Sequence, residues 1–121
     1  MPKFSQFSKD NLATCHIWLQ DIFNIVIMDI DCRVICGHRN KKAQMIAYQE
    51  GRSQLQWPDS SHNKTPSLAV DVVPYPIDWD NIGRFKELGW YAKGVAKVLK
   101  YPIQWGGDWK TFKDYPHYQI K

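Results

Sequence analysis

The sequence has few cysteines and no long uninterrupted apolar stretch, and each of these shortages excludes a class of protein. The three cysteines, Cys15, Cys32 and Cys36, are an odd number, so a scaffold of paired disulfides is not expected. The most apolar segment, residues 22–30, is interrupted by an asparagine and an aspartate. It is too short and too polar for a membrane span or for the core of a signal peptide. We therefore expect a protein that is made in the cytoplasm and does not insert into membranes.

Length and composition predict a globular protein of one domain. The chain has 121 residues, of which 44% are hydrophobic, 23% charged and 14% aromatic, so disorder and low complexity are excluded. We expect a single domain over residues 1–121, because two full domains would need a longer chain. The net charge of +4 favours encounter with anionic polymers such as nucleic acid or bacterial wall, without choosing between them.

Three segments show helical patterns. Apolar residues recur at steps of three and four between Lys9 and Phe23, which predicts one amphipathic helix with Ser8 as its cap. Good helix formers predict a second helix over Lys41–Glu50. A third is predicted over Asp80–Lys100, with a bend near Gly89.

The β-prone segments are short and lie between these helices. Strands are predicted over Cys32–Cys36, over residues 68–73 and over His117–Ile120. Residues 51–66 are rich in serine, proline, asparagine and glycine, and predict an irregular surface loop of a length that is usually functional. The order of elements predicts an α+β fold in which helices and a small antiparallel sheet share one core.

Two histidines and two aspartates suit the needs of a metal-dependent hydrolase. Such a site uses three His or carboxylate ligands, an open position for water and a nearby group that accepts a proton. His62 ends the polar loop, and Asp71 follows nine residues later on a predicted strand. Asp114 precedes His117 by three residues, close enough to reach the same water. From spacing alone, His62 also fits a solvated loop residue, Asp71 a solvent-facing strand residue, and Asp114 a turn residue.

A second metal site is conceivable at Cys32, Cys36 and His38, with Cys15 or His16 as a further ligand. These residues share one face of a predicted strand by alternation. Structural zinc sites usually use close cysteine pairs on tight turns. The pattern CRVIC therefore favours cysteines that fill the core.

Four segments, read together, resemble a known family. They are GHRNKKAQ (Gly37–Gln44), SSHNKTPSLAVDVVPYP (Ser60–Pro76), WGGDW (Trp105–Trp109) and DYPHYQ (Asp114–Gln119). In this order they resemble the zinc D-alanyl-D-alanine carboxypeptidase and L-alanyl-D-glutamate peptidase family, in its short phage-endolysin branch. The segment between the first His and the Asp is longer here than in the commonest form of the motif.

The resemblance implies a zinc ion held by His62, Asp71 and His117, with Asp114 as the general base. It implies that zinc lies on a small central antiparallel sheet packed with two to four helices, in the α+β fold shared by Hedgehog and the DD-peptidases. Zinc would lower the pKa of a water molecule, and Asp114 would accept its proton.

The resemblance also implies a substrate pocket. Arg39 would face the substrate or its developing oxyanion, and Gln44 and Ser60 match motif positions that line the same pocket. A guanidinium suits the carboxylates of a peptidoglycan stem peptide, because it binds carboxylate through two hydrogen bonds.

The expected function is that of a phage endolysin that cuts an amide bond of the peptidoglycan stem peptide, most simply L-alanyl-D-glutamate. The alternatives are a D-alanyl-D-alanine carboxypeptidase, a non-catalytic zinc-containing module that binds wall or protein, and a basic nucleic-acid binder. We expect a monomer that binds no nucleic acid. We also expect it to wait in the host cytoplasm until another protein permeabilises the membrane.

Overall fold

The computed structural model describes all 121 residues and has four α-helices and one four-stranded sheet. The helices are α1 (Gln6–Ala13), α2 (Ile17–Val26), α3 (Lys41–Gln49) and α4 (Ile82–Leu99). The strands are β1 (Cys32–Cys36), β2 (Ala69–Pro74), β3 (Ile103–Trp105) and β4 (His117–Ile120), and 3-10 turns occupy Ser61–Asn63 and Gly106–Asp108. The predicted α+β class is confirmed. None of the helices combines the length and the apolar character that crossing a bilayer requires.

The sheet brings distant parts of the chain together at Asp71. Its strand order is β1-β2-β4-β3, and every neighbouring pair is antiparallel. Asp71 on the inner strand β2 lies opposite His117 on β4 and opposite Cys36 on β1. Residues directly opposite each other on neighbouring strands have side chains on the same face. One face of the sheet therefore collects these three side chains.

The hydrophobic core lies on the other face of the sheet. Val70 and Val72 belong to the core, together with Phe23 of α2, Leu88 of α4 and Tyr118 of β4, all of them buried. Because side chains alternate along a strand, Asp71 between the two valines points away from this core. Packing of α2 and α4 against one face thus leaves the opposite face for polar side chains.

The single helix predicted between Lys9 and Phe23 is two helices in the structure. The helix ends after α1 because the backbone that follows it pairs with Ser67. The N–H of Ser67 donates to the carbonyl of Thr14 at 2.9 Å, and the N–H of His16 donates to the carbonyl of Ser67 at 2.8 Å. His16 then begins α2, since its side chain accepts a hydrogen bond from the N–H of Trp18. The continuous apolar pattern conceals the break because the pairing partner lies far along the chain.

The helix cap predicted at Ser8 is also wrong. Ser5 caps α1, and its hydroxyl accepts a hydrogen bond from the N–H of Ser8. Ser8 is fully buried, and its hydroxyl accepts from the N–H of Val34 at 3.0 Å. It therefore joins α1 to the sheet.

The long helix α4 matches its prediction, with Asn81 as the cap. The helix is continuous through Gly89, and the bend near this residue stays a prediction. A Cβ atom there would overlap the indole ring of Trp105, so the absence of a side chain allows β3 to approach the helix. Strand β3 itself, three residues long, was not predicted.

Candidate metal centre and catalytic site

A cavity of about 560 Å³ opens over the polar face of the sheet. Six of the seven site residues implied by the family resemblance line it: Arg39, Ser60, His62, Asp71, Asp114 and His117. Gln44 has no exposed surface and lies behind the cavity wall. The cavity also has aromatic residues on its walls, among them Trp79, Phe85 and Trp109.

The carboxylate of Asp71 lies at the centre of the cluster. Its Oδ1 atom is 3.4 Å from Nε2 of His62 and 3.4 Å from Nδ1 of His117. Its Oδ2 atom is 3.6 Å from the guanidinium of Arg39. The side chains of both histidines are less than a tenth exposed. Two imidazole nitrogens therefore converge on one carboxylate oxygen in a sheltered position.

Acceptors behind each ring determine which nitrogen faces Asp71. Nδ1 of His62 is 2.7 Å from the carbonyl oxygen of Gly37, which can only accept, so this nitrogen carries a proton. Nε2 of His117 is 2.7 Å from Oε1 of Gln119, which likewise accepts. In both rings the nitrogen left over points towards Asp71.

The converging atoms fit a metal ion by their chemistry. Nε2 of His62 and Oδ1 of Asp71 are buried and have no hydrogen-bonding partner. Buried polar atoms are seldom left unpaired, because desolvation without a partner is costly. Two groups of side chains could hold a metal ion with ligand atoms within 4.8 Å of one another: Cys36, His62 and Asp71, and Asp71, Asp114 and His117. Imidazole nitrogen and carboxylate oxygen are the donors that catalytic zinc sites use.

The charges of the cluster stabilise one another. Burial alone would lower the pKa of His62, but the interactions of its imidazole with Asp71 and Cys36 together outweigh burial and raise that pKa to about 10. Burial alone would raise the pKa of Asp71, but the imidazoles of His62 and His117 hold it well below its ordinary range. A bound metal ion would take the place of imidazole protons as the positive partner of Asp71.

Asp114 is the carboxyl group at the edge of the cluster. Its Oδ2 atom is 4.0 Å from Nδ1 of His117, and its side chain is 30% exposed. Burial, followed by the negative charge of Asp71, raises the pKa of Asp114. The N–H of Asp114 donates to the carbonyl of Gly106 at 3.1 Å. A Cβ atom at Gly106 would overlap the carbonyl oxygen of Asp114, so glycine allows this close approach.

Arg39 is held by a network of hydrogen bonds around the buried side chain of Gln44. Its Nη1 donates to Oε1 of Gln44 at 2.9 Å, and Asn63 donates to the same oxygen at 3.2 Å. The amide nitrogen of Gln44 donates to the hydroxyl of Ser53 at 3.0 Å and to the carbonyl of Leu55 at 2.6 Å. Gln44 thus ties Arg39 to the loop that forms one wall of the cavity.

Ser60 organises the turn that carries His62. Its hydroxyl accepts a hydrogen bond from the N–H of His62 at 3.2 Å, and the side chain of Asn63 closes a reciprocal cap. The carbonyl of His62 accepts from the N–H of Arg39 at 2.8 Å. This turn interrupts the otherwise irregular loop that was predicted over residues 51–66.

Comparison with known proteins identifies the family. The family model of the phage L-alanyl-D-glutamate peptidases matches residues 1–120. The chain belongs to this family. The predicted resemblance is therefore confirmed.

Two relatives are similar to this peptidase, one by its sequence and one by its fold. The peptidoglycan L-alanyl-D-glutamate endopeptidase CwlK of Bacillus subtilis strain 168 is 30% identical over 106 residues, covering 75% of this chain. The chain spans 61% of the length of CwlK. The crystal structure of the Serratia marcescens L-Ala D-Glu endopeptidase ChiX superposes with a TM-score of 0.83 at 26% identity, covering 98% of this chain and 90% of that one.

Sequence reasoning missed two neighbours of the cluster. Cys36 was assigned to a separate set with Cys32 and His38, but its sulfur is 3.8 Å from Nδ1 of His62. Cys32 is fully buried in the core and His38 is exposed, so neither joins a group of candidate ligands. The motifs do not assign a role to Gln119, although it lies two residues after His117, a spacing that places both side chains on one face of a strand.

Proposed function

We propose that the chain is a zinc-dependent peptidoglycan hydrolase that cleaves the L-alanyl-D-glutamate bond of the stem peptide, as a phage endolysin does. The observation that carries the proposal is the convergence of two imidazole nitrogens on one buried carboxylate oxygen that has no hydrogen-bond partner, with Asp114 beside them. Membership of the peptidase family, and the names of CwlK and ChiX, support the substrate.

His62, Asp71 and His117 would hold the zinc ion. This donor set of two nitrogens and one oxygen matches that of zinc hydrolases. When bound, zinc supplies a Lewis acid that lowers the pKa of a water molecule and polarises the peptide carbonyl.

Asp114 acts as the general base. It accepts a proton from the attacking water and later returns that proton to the leaving amine. A carboxyl group whose pKa is raised suits both steps, because proton transfer is most efficient when the pKa of the base approaches the working pH.

Arg39 faces the substrate. Its guanidinium stabilises the oxyanion that develops on the carbonyl and can bind a carboxylate of the stem peptide. Gln44 contributes by holding Arg39 in place, and Ser60 contributes by shaping the cavity wall beside His62.

The partner in this proposal is bacterial peptidoglycan, and the chain acts as a monomeric domain over residues 1–121. It reaches the wall from the host cytoplasm after another protein permeabilises the membrane. A non-catalytic binding module would have no use for a carboxyl group in the position of Asp114.

Mass spectrometry of digested peptidoglycan tests the bond that is cleaved. Purified wall treated with zinc-loaded protein should yield stem peptides with a new N-terminal D-glutamate. Loss of one terminal alanine would instead identify a D-alanyl-D-alanine carboxypeptidase. Release of neither product by folded, zinc-loaded protein would contradict the hydrolase proposal.

A further inference from the structure

The two histidines of the cluster are oriented by different kinds of acceptor. His62 donates from Nδ1 to a backbone carbonyl, that of Gly37, at 2.7 Å. His117 has a side-chain acceptor instead, Oε1 of Gln119, at 2.7 Å from its Nε2. The orientation of His117 therefore depends on a residue that substitution can change.

We infer that Gln119 is a positioning residue for the metal centre, which keeps the Nε2–H tautomer of His117 and so leaves Nδ1 free to bind zinc. The inference rests on the proposed function, because it assigns Nδ1 of His117 as a zinc ligand. Gln119 acts through His117 and contributes no ligand of its own.

The need for such a residue follows from the position of Asp71. Nδ1 of His117 lies 3.4 Å from Oδ1 of Asp71, and a carboxylate attracts a proton on the nitrogen that faces it. Asp71 alone would therefore favour the Nδ1–H tautomer, in which this nitrogen has no lone pair for a metal. The acceptor Oε1 of Gln119 favours the opposite tautomer, because it offers a partner to a proton on Nε2.

The sheet fixes the backbone of Gln119. It lies opposite Ala69 of β2 and opposite Gln104 of β3, so strands pair with it on both sides. The amide needs only side-chain torsions to reach the ring of His117. Pairing on both sides limits how far the acceptor can drift from Nε2.

The neighbouring strand offers a matched control. Gln104 is the same residue type, lies directly opposite Gln119, is exposed and does not line the cavity. Replacement of Gln104 by leucine makes the same change of side chain on the neighbouring strand without removing an acceptor from His117.

Zinc affinity, measured by competition with a chromophoric chelator, tests the inference without relying on catalysis. We expect Gln119→Leu to lower zinc affinity by about 10–100-fold, the usual effect of losing a partner that orients a ligand. Gln119→Glu should keep wild-type affinity or exceed it, because a carboxylate accepts the same hydrogen bond. Gln104→Leu should bind as the wild type does. Near-ultraviolet circular dichroism checks that each variant is folded.

The outcomes separate this inference from the function on which it rests. Wild-type zinc affinity in Gln119→Leu would overturn the positioning role and leave the hydrolase proposal intact. Equal losses in Gln119→Leu and Gln119→Glu would also overturn it, since the carboxylate restores the acceptor. A wild-type protein that binds no zinc would contradict both.

Discussion

Hydrogen-bond acceptors behind the two imidazole rings decide which atoms of His62 and His117 face Asp71. The carbonyl of Gly37 and the amide oxygen of Gln119 each take one ring proton. The remaining nitrogens meet at Oδ1 of Asp71. Against the effect of burial, the negative charge of Asp71 and the neighbouring Cys36 together raise the pKa of His62 to about 10. The same charge raises the pKa of Asp114, after the effect of burial. One carboxylate thus influences both the candidate ligands and the candidate base.

The raised pKa of Asp114 predicts the pH dependence of hydrolysis. The base must be ionised to accept a proton, and its pKa lies above 3.8, the ordinary value for aspartate. Activity should therefore fall as the pH decreases through this raised pKa, at a less acidic pH than for an exposed aspartate. The measurement is kcat/KM for a soluble stem-peptide fragment across the acidic range, at saturating zinc.

Asp114→Asn provides the control for this profile. The variant should lose about 10²–10⁴-fold in rate, and its residual activity should lack the acidic limb that belongs to Asp114. An unchanged acidic limb in Asp114→Asn would show that another group titrates there.

Close approaches between elements depend on glycines that carry no backbone strain. Gly89 on α4 lets Trp105 of β3 lie against the helix, and Gly106 lets the segment of Asp114 return to the sheet. At Gly94, also on α4, no atom beyond the adjoining residues and the nearby helix backbone lies within 4 Å of the position that a Cβ would take. The chain therefore offers a direct comparison between a tight glycine and an open one on the same helix.

Gly89→Ala and Gly94→Ala should have opposite effects on stability. The methyl group at position 89 would overlap the indole of Trp105, and forced repacking of this kind costs about 1–3 kcal/mol. At position 94 alanine meets open space, and the free energy of unfolding should rise by about 0.5–1 kcal/mol because glycine is costly inside a helix. Urea denaturation of both variants checks this, and equal stabilities would refute the proposed contact.

Gly106→Ala should reduce hydrolysis by displacing Asp114. The added Cβ would overlap the Asp114 carbonyl, which also accepts a hydrogen bond from the N–H of His117 at 3.1 Å. We expect a lower kcat in the folded variant, measured beside Gly94→Ala, a glycine replacement whose methyl group meets open space. Wild-type kcat in Gly106→Ala would show that the base tolerates a shift of this segment.

Local patterns predicted most of the elements, and each failure has its own physical cause. Strand β2 and helix α4 were predictable because their apolar periods are sustained. The break at His16 was not, because it depends on hydrogen bonds to Ser67, far along the chain. Strand β3, at three residues, is too short to show a period.

The residues of the candidate site could be predicted from the sequence, but the residues that hold them in place could not. The ordered motifs pointed to His62, Asp71, Asp114 and His117, and the fold brings these residues into one cavity. Their roles as ligands and base stay predictions. The place of Gln44 behind Arg39 depends on packing, which one sequence does not reveal.

The site joins parts of the chain that are far apart in sequence. His62 lies on the turn after the long loop, Asp71 on β2, and His117 on β4. A metal ion held by these three residues would bind the folded state and not the unfolded chain. Metal binding should therefore stabilise the fold by mass action.

Zinc should raise the melting temperature of the protein. At a free concentration of about 100 times its dissociation constant, a ligand that binds only the native state adds about 2.7 kcal/mol of stability. Calorimetry with zinc, with chelator and with zinc restored should show a reversible shift. His62→Ala should lose this shift, and a shift that survives in His62→Ala would place the metal elsewhere.

The most direct test of the account is the loss of turbidity of outer-membrane-permeabilised Gram-negative cells or purified peptidoglycan. Wild-type protein should clear the suspension, chelator should stop the clearing, and added zinc should restore it. Asp114→Asn should bind zinc as the wild type does and clear the suspension about 10²–10⁴-fold more slowly. Failure of folded, zinc-loaded wild-type protein to clear any wall, or clearing by Asp114→Asn at the wild-type rate, would contradict the account.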